Sequence, residues 1–349
     1  MRHLLRVVFF ILLSTISCLQ LASTHVYELK KMRNEIASEL AQFDDKVDQL
    51  KGKQLLIDNK CGMINTEGIC YFNAVIQSLF ANRNFVLFYI MNDFKPTQEL
   101  SLNTQILAMK MLKARNVNPI PFLETYSEHQ RLLNHCTLHG GNPLVLLEEL
   151  LIGLYSEIED DENLNFMEGA PQNYFVTERY STTCKKCRRR TVDEISNVTM
   201  NIPFSNTLEE SLSFYNNVKE VSNVNKYYKC SKCNVFNPII PDDIKVDIIY
   251  PNHLIIVFER VQIKNNVIYS IFQEIEMNET ITIDGKKYEL YSAVCSYMLK
   301  RGYHANAIVK KNGSWVLFND NQLEIFSQDN DNKTVFNNYA WILFFKCIE

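Results

Sequence analysis

The sequence lacks a charge excess of either sign. Lys and Arg total 36 against 40 Asp and Glu, a net charge of −4. That excludes the basic stripe a nucleic-acid partner would require, and no long acidic tail is present. Internal repeats are absent, so a solenoid is excluded. Ten cysteines in 349 residues are too few for a disulfide scaffold. Four of them form two C-x-x-C pairs, Cys184 with Cys187 and Cys230 with Cys233, and the rest are scattered. This spacing suits metal binding and catalysis better than a set of bridges.

Long uncharged runs are equally scarce, with one exception. Between Val7 and Tyr27 there is no Lys, Arg, Asp or Glu. Arg2 and Arg6 precede this stretch and Ser23 offers a small-residue cleavage site, the layout of a secretory signal peptide. Uncleaved, the same run is long enough to span a bilayer. Residues 1–23 are therefore expected to be a signal peptide or a membrane anchor. Residues 24–58 follow as a charge-rich segment. Its apolar residues Leu29, Met32, Ile36, Leu40, Phe43, Val47 and Leu50 recur at steps of three and four, predicting an amphipathic helix or stalk.

The remainder has two textures. From Cys70 to about Ile158 apolar residues recur with helical spacing, as in "YFNAVIQSLF" and "PLVLLEELLIGLYSEI". From about Tyr174 onward come short β-branched and aromatic runs such as "HLIIVFERV", "HANAIVKK", "SWVLF" and "YAWILFFK". Asn-rich stretches, "YNNVKEVSNVNK" and "SQDNDNKTVFNN", read as loops. Helices followed by an antiparallel sheet predict an α+β fold.

Cys70 stands where the first of these helices begins. A helix start offers unpaired N–H groups and a positive dipole end, which favour thiolate over thiol. The amide of Asn65 and a backbone N–H at the helix start could donate to an oxyanion. Glu67 lies close enough to oppose thiolate formation if it points inward. Among seven histidines, His304 enters a strand after a Gly-containing turn. The next strand ends in Asn319 and Asp320. Antiparallel pairing would set one of them beside the imidazole, as a Cys–His pair requires. His129, His135 and His139 lie in helical or loop surroundings, and His253 opens a strand. The two C-x-x-C pairs each resemble a knuckle at a hairpin tip, and four thiolates in that arrangement would close a tetrahedral structural Zn2+ site.

These stretches together resemble the ubiquitin-specific proteases, a family of deubiquitinating enzymes. Gly62, Asn65, Cys70, Tyr71, Asn73, Gln77 and Leu79 match the family's cysteine box. "YHANAIVKKNGSWVLFNDNQL" is similar to its histidine box and the turn beyond, and "YAWILFF" to its closing strand. The resemblance implies a papain-like cysteine protease fold over 59–348. It comprises a helical thumb (about 60–172), zinc-bearing β fingers (about 173–250) and an antiparallel β palm (about 251–348). It implies Cys70 as nucleophile, His304 as base, Asn319 as its orienting residue, Asp320 as a second polarising group and Asn65 as oxyanion donor. Zn2+ would be held by Cys184, Cys187, Cys230 and Cys233. The implied partner is ubiquitin or ubiquitinated protein, and the catalytic domain would be monomeric.

The chain departs from the family at Glu67-Gly68-Ile69, at Tyr303-His304-Ala305, and at Gly140-Gly141-Asn142-Pro143, where the family carries other residues. Alternatives are an inactive ubiquitin-binding pseudo-protease and a secreted papain-like protease. The N-terminal segment leaves two locations open: a cytosol-facing domain anchored in the ER or outer mitochondrial membrane, or export. The sequons at Asn197, Asn278, Asn312 and Asn332 would be usable only in a lumen.

Overall fold

The computed structural model describes residues 61–349 except 66–67, 114–115, 130–135, 138–139, 162–163, 165–166, 219–226, 231, 235, 239–243, 265–266, 271–272, 277, 300–301 and 326–336. The expected signal segment and stalk, Glu67, His135, His139 and Asn332 lie outside the described residues. Among the described residues no single helix is long and apolar enough to cross a membrane.

Helices come first, as the periodicity requires: α1 (Cys70–Phe80), α2 (Arg83–Met91), α3 (Glu99–Lys113), α4 (Ile120–His129) and α5 (Pro143–Ser156). Every residue of α1 is buried. It runs through the middle of the helical half and against the sheet, which is why its sequence carries apolar side chains on all faces. Two of its buried polar side chains reach backbone carbonyls. Gln77 Nε2 donates to the Cys61 carbonyl at 2.7 Å, and Asn73 Nδ2 reaches the Met63 carbonyl at 3.4 Å. The helix α5 starts where the Gly-Gly-Asn-Pro departure lies. Asn142 caps it by accepting from the N–H groups of Leu144 and Val145, and Pro143 occupies the first turn.

The palm is a sheet built on Lys286–Leu299 and Ala340–Cys347 at its centre. Gly302–Lys311, Ser314–Asn319 and Gln322–Ile325 continue it on one side, and His253–Phe258 and Met200–Ile202 on the other. Strand alternation splits its core in two. Ile255, Val257, Ile342 and Phe344 face the helices, whereas Leu254, Ile256, Phe258, Leu343 and Phe345 face the opposite core. Both faces are covered, so these strands read as continuous apolar runs. The pairings are antiparallel except that His253–Phe258 runs parallel to Met200–Ile202, which the strand texture did not reveal.

A separate three-stranded sheet, Ile244–Ile249, Val176–Thr183 and Arg190–Asn197, projects as the fingers. One correction concerns the segment before it returns. The Asn-rich stretch expected to be a loop from Tyr215 is helical as far as Val218, in α6 (Leu208–Val218). Thr207 Oγ1 accepts from the Glu210 N–H, Glu209 and Glu210 suit the positive helix end, and Leu208 and Leu212 are buried. Capping and burial outweigh the low helix propensity of the asparagines.

Candidate active site

Cys70 is the first residue of α1. The turn before it depends on Gly68, whose φ of 81° is a conformation natural to glycine. Asn65 shapes that turn: its Oδ1 accepts from both the Gly68 and the Ile69 N–H at 2.9 Å. The bonded N–H groups of Phe72 and Asn73 turn back to the Ile69 carbonyl. The thiol therefore sits at the positive end of a buried helix.

Two strands bring the rest. His304 lies on Gly302–Lys311, which pairs antiparallel with Ser314–Asn319. Its Nε2–H donates to Asn319 Oδ1 at 2.7 Å, leaving Nδ1 for the thiol. The hydrogen bond to Cys70 is the main influence pushing the imidazole up to about 9; Asn319 and the nearby Asp320 charge add to it, against the opposing effect of burial. An imidazole in that range is protonated at neutral pH. Tyr297 on the neighbouring strand sets its ring at 71° to the imidazole, 5.4 Å away.

Asp320 has a different place. The strand ends at Asn319, and Asp320 opens a two-residue turn with φ of 55°. Its side chain leaves the direction of Asn319 and reaches the cysteine box. Oδ2 accepts from Asn65 Nδ2 at 2.9 Å and Oδ1 from Asn73 Nδ2 at 2.8 Å. Its carbonyl accepts from the Met63 N–H at 3.0 Å. All five residues singled out for catalysis thus converge, in two linked groups: Cys70–His304–Asn319, and Asn65–Asp320–Asn73. Sequence reading counted Asn73 as a motif match without a role; an amide one turn inside a largely apolar helix was the available signal.

At the finger tips the two knuckles repeat each other. The N–H of Arg188 donates to the Cys184 carbonyl at 2.9 Å, and that of Asn234 to the Cys230 carbonyl at 2.8 Å. Arg188 and Asn234 both take positive φ, 57° and 59°. Cys184 Sγ lies 3.6 Å from Cys233 Sγ, and Cys187 Sγ 3.6 Å from Cys230 Sγ. All four sulfurs fall within 4.8 Å of one another. A tetrahedron with Zn–S near 2.3 Å has sulfurs about 3.8 Å apart, so the four thiols fit one zinc ion. Backbone N–H groups, that of Cys187 foremost, pull the Cys184 thiol down to about 6. Cys184, Cys187, Cys230 and Cys233 are all free thiols.

A family model described as ubiquitin carboxyl-terminal hydrolase matches residues 61–345. The chain belongs to that family. As a ubiquitin carboxyl-terminal hydrolase it is a cysteine-type deubiquitinase, and the reading as a general papain-like protease is not favoured. A comparison with curated proteins returns no match. Among solved structures, the hydrolase is similar to the SAGA DUB module Ubp8/Sgf11/Sus1/Sgf73 bound to monoubiquitin. The TM-score is 0.64 at 17% identity, covering 84% of this chain and 70% of that one. It is also similar to that module bound to ubiquitin aldehyde, with a TM-score of 0.61 at 16% identity over 84% and 70%. At these identities the likeness is one of fold: helical thumb, β palm and fingers with a zinc-competent cysteine cluster.

Proposed function

We propose that Cys70 is the nucleophile of a deubiquitination reaction on the C-terminal glycine of ubiquitin. The observation that carries this is the hydrogen-bonded series from the Cys70 thiol through His304 to Asn319. Thiolate Sγ attacks the carbonyl carbon of the isopeptide or peptide bond, forming a tetrahedral oxyanion. Asn65 donates one N–H to Asp320; its second amide N–H and the backbone N–H at the start of α1 serve the oxyanion. Imidazolium His304 gives its Nδ1 proton to the departing amine, and a thioester to ubiquitin remains. Neutral His304 then removes a proton from water, whose oxygen displaces Cys70 and releases ubiquitin as the carboxylic acid. Asn319 holds the ring with Nδ1 toward the thiol throughout. Asp320 positions Asn65. Zn2+ would be held by the thiolates of Cys184, Cys187, Cys230 and Cys233, a closed set that would add folding energy to the fingers and stand outside the chemistry.

Residues 1–23 are proposed as the targeting or anchoring segment and 24–58 as a stalk. Both resolutions of location stand: a domain held at the cytosolic face of a membrane, or an exported enzyme. Membrane fractionation with N-terminal sequencing separates them. The catalytic reading is tested with ubiquitin carrying an electrophile at its C-terminus. A single covalent adduct on Cys70, absent in Cys70→Ala, is expected. Binding without adduct would favour the pseudo-protease.

A further inference from the structure

Tyr297 and His304 stand directly opposite each other on the paired strands Lys286–Leu299 and Gly302–Lys311. Cross-strand partners share a face, so register rather than a loop delivers the tyrosine ring to the imidazole. The ring centroids are 5.4 Å apart and the planes meet at 71°, an edge-to-face contact. Asn319 ties one nitrogen of His304, at 2.7 Å. That bond alone leaves the imidazole able to swing about the tied nitrogen, and the swing would carry Nδ1 away from Cys70. A wall beside the ring removes that freedom.

The wall is itself backed. Tyr339 packs on Tyr297 with centroids 5.7 Å apart at 58°. Tyr339 immediately precedes the last strand, and Arg260 holds the backbone on either side of it. Arg260 Nε donates to the Ala340 carbonyl at 2.8 Å and Nη2 to the Asn337 carbonyl at 2.9 Å. The guanidinium is buried and lies 5.0 Å over the Phe204 ring. The pairing of Lys286–Leu299 with the last strand also shifts register between Val294 and Cys295, where Cys295 meets Ala340. Such irregularities re-aim the side chains beside them. The Tyr297 hydroxyl has a weaker hold: Asn306 Nδ2 stands 3.5 Å from it, long for a hydrogen bond. Packing of the ring therefore matters more than the hydroxyl.

We propose that Tyr297 is a positioning residue for the hydrolysis, an aromatic wall that keeps His304 Nδ1 aimed at Cys70, with Tyr339 as its backing. This rests on the reading of Cys70 and His304 as the catalytic pair, and Tyr297 acts through the imidazole.

The test uses the full-length zinc-loaded protein and a ubiquitin C-terminal reporter, at a temperature where circular dichroism shows each variant folded. Tyr297→Ala should lower kcat at least about tenfold with KM little changed, since a misplacement of about 1 Å can cost about 100-fold. Tyr297→Phe keeps the ring and should restore most of kcat. Tyr339→Ala should lower kcat in the same sense but less, and it carries the test if Tyr297→Ala does not fold. The Tyr297→Ala, Tyr339→Ala pair should be hardly worse than Tyr297→Ala, because the backing has no effect once the wall is gone. An undiminished kcat in Tyr297→Ala, or in Tyr339→Ala where that variant stands in, overturns the proposal. So does a loss confined to KM, or a Tyr297→Phe variant as slow as Tyr297→Ala. If the wild type itself forms no Cys70 adduct with electrophilic ubiquitin, the catalytic reading falls and this inference with it; an active wild type with an equally active Tyr297→Ala overturns this inference alone.

Discussion

The Asn65 side-chain amide donates to the Asp320 carboxylate at 2.9 Å across 255 positions of sequence. The same carboxylate holds Asn73, one turn inside α1. Asp320 is thereby the joint between the cysteine box and the strand that carries Asn319. Asp320→Ala should free Asn65 and lower kcat by about 100-fold, the scale of losing one oxyanion donor. KM should change little. Because Asn65 and Asp320 act together, the Asn65→Ala, Asp320→Ala pair should be hardly worse than either single variant. Additive losses in steady-state kinetics would separate their roles.

Asn319→Ala tests the other group. Asn319 supports protonated His304, whose value is pushed up to about 9 chiefly by the Cys70 hydrogen bond. As pH rises through that range the imidazolium deprotonates and can no longer protonate the leaving amine. The alkaline limb of kcat/KM should therefore lie near 9 in the wild type. Removing a contact that raises His304 must move the limb to lower pH. A pH–rate profile in which the limb of Asn319→Ala stays put would assign the ring's protonation to other neighbours.

How much of this was legible beforehand differs residue by residue. Cys70 and His304 could be read because a thiol at a helix start and a histidine at a strand entry are local patterns. The zinc knuckles were legible for the same reason, since both ligands of each pair sit on one turn. The choice between Asn319 and Asp320 was open in the residue pattern alone and was implied only by the family resemblance. It depends on where the strand stops, and a one-residue difference reverses the direction of a side chain. The helical extent of α6 was hidden because asparagines argue for a loop while its stability comes from burial of Leu208 and Leu212. His253 gave no sign of an unpartnered buried ring, because the ring it packs against, Tyr174, is far away in the sequence.

The finger site makes a separable prediction. Purified protein should contain one Zn2+ per chain by elemental analysis. Cys187→Ser or Cys230→Ser should lose the metal and lower the thermal midpoint, since binding energy of a structural zinc is folding energy. The Cys70–His304 geometry lies in the thumb and palm. So KM for ubiquitin substrates should rise more than kcat falls. Full zinc retention in both variants would show that the four sulfurs are not the ligands.

Gly62 supplies the most exacting test of how the centre is assembled. It pairs with Asn116, and the next N–H, that of Met63, bonds the Asp320 carbonyl. A Cβ at Gly62 would stand 2.6 Å from Asn116 Oδ1 and 2.7 Å from the Asn321 Cα. The side-chain contact can give way, but the backbone contact cannot without moving the Asp320–Asn321 turn. Gly62→Ala should therefore cost about 1–3 kcal/mol, as overpacking does. The displaced turn would also loosen Asp320 from Asn65 and Asn73. Activity should fall at temperatures where the variant is still fully folded, with kcat affected and KM nearly preserved. Asn116→Ala in the same background relieves one clash and leaves the other. If it restores stability but not kcat, the backbone contact at Asn321 is the one that sets the catalytic geometry. If it restores both, the turn has not moved and the loss arises at Asn116 alone.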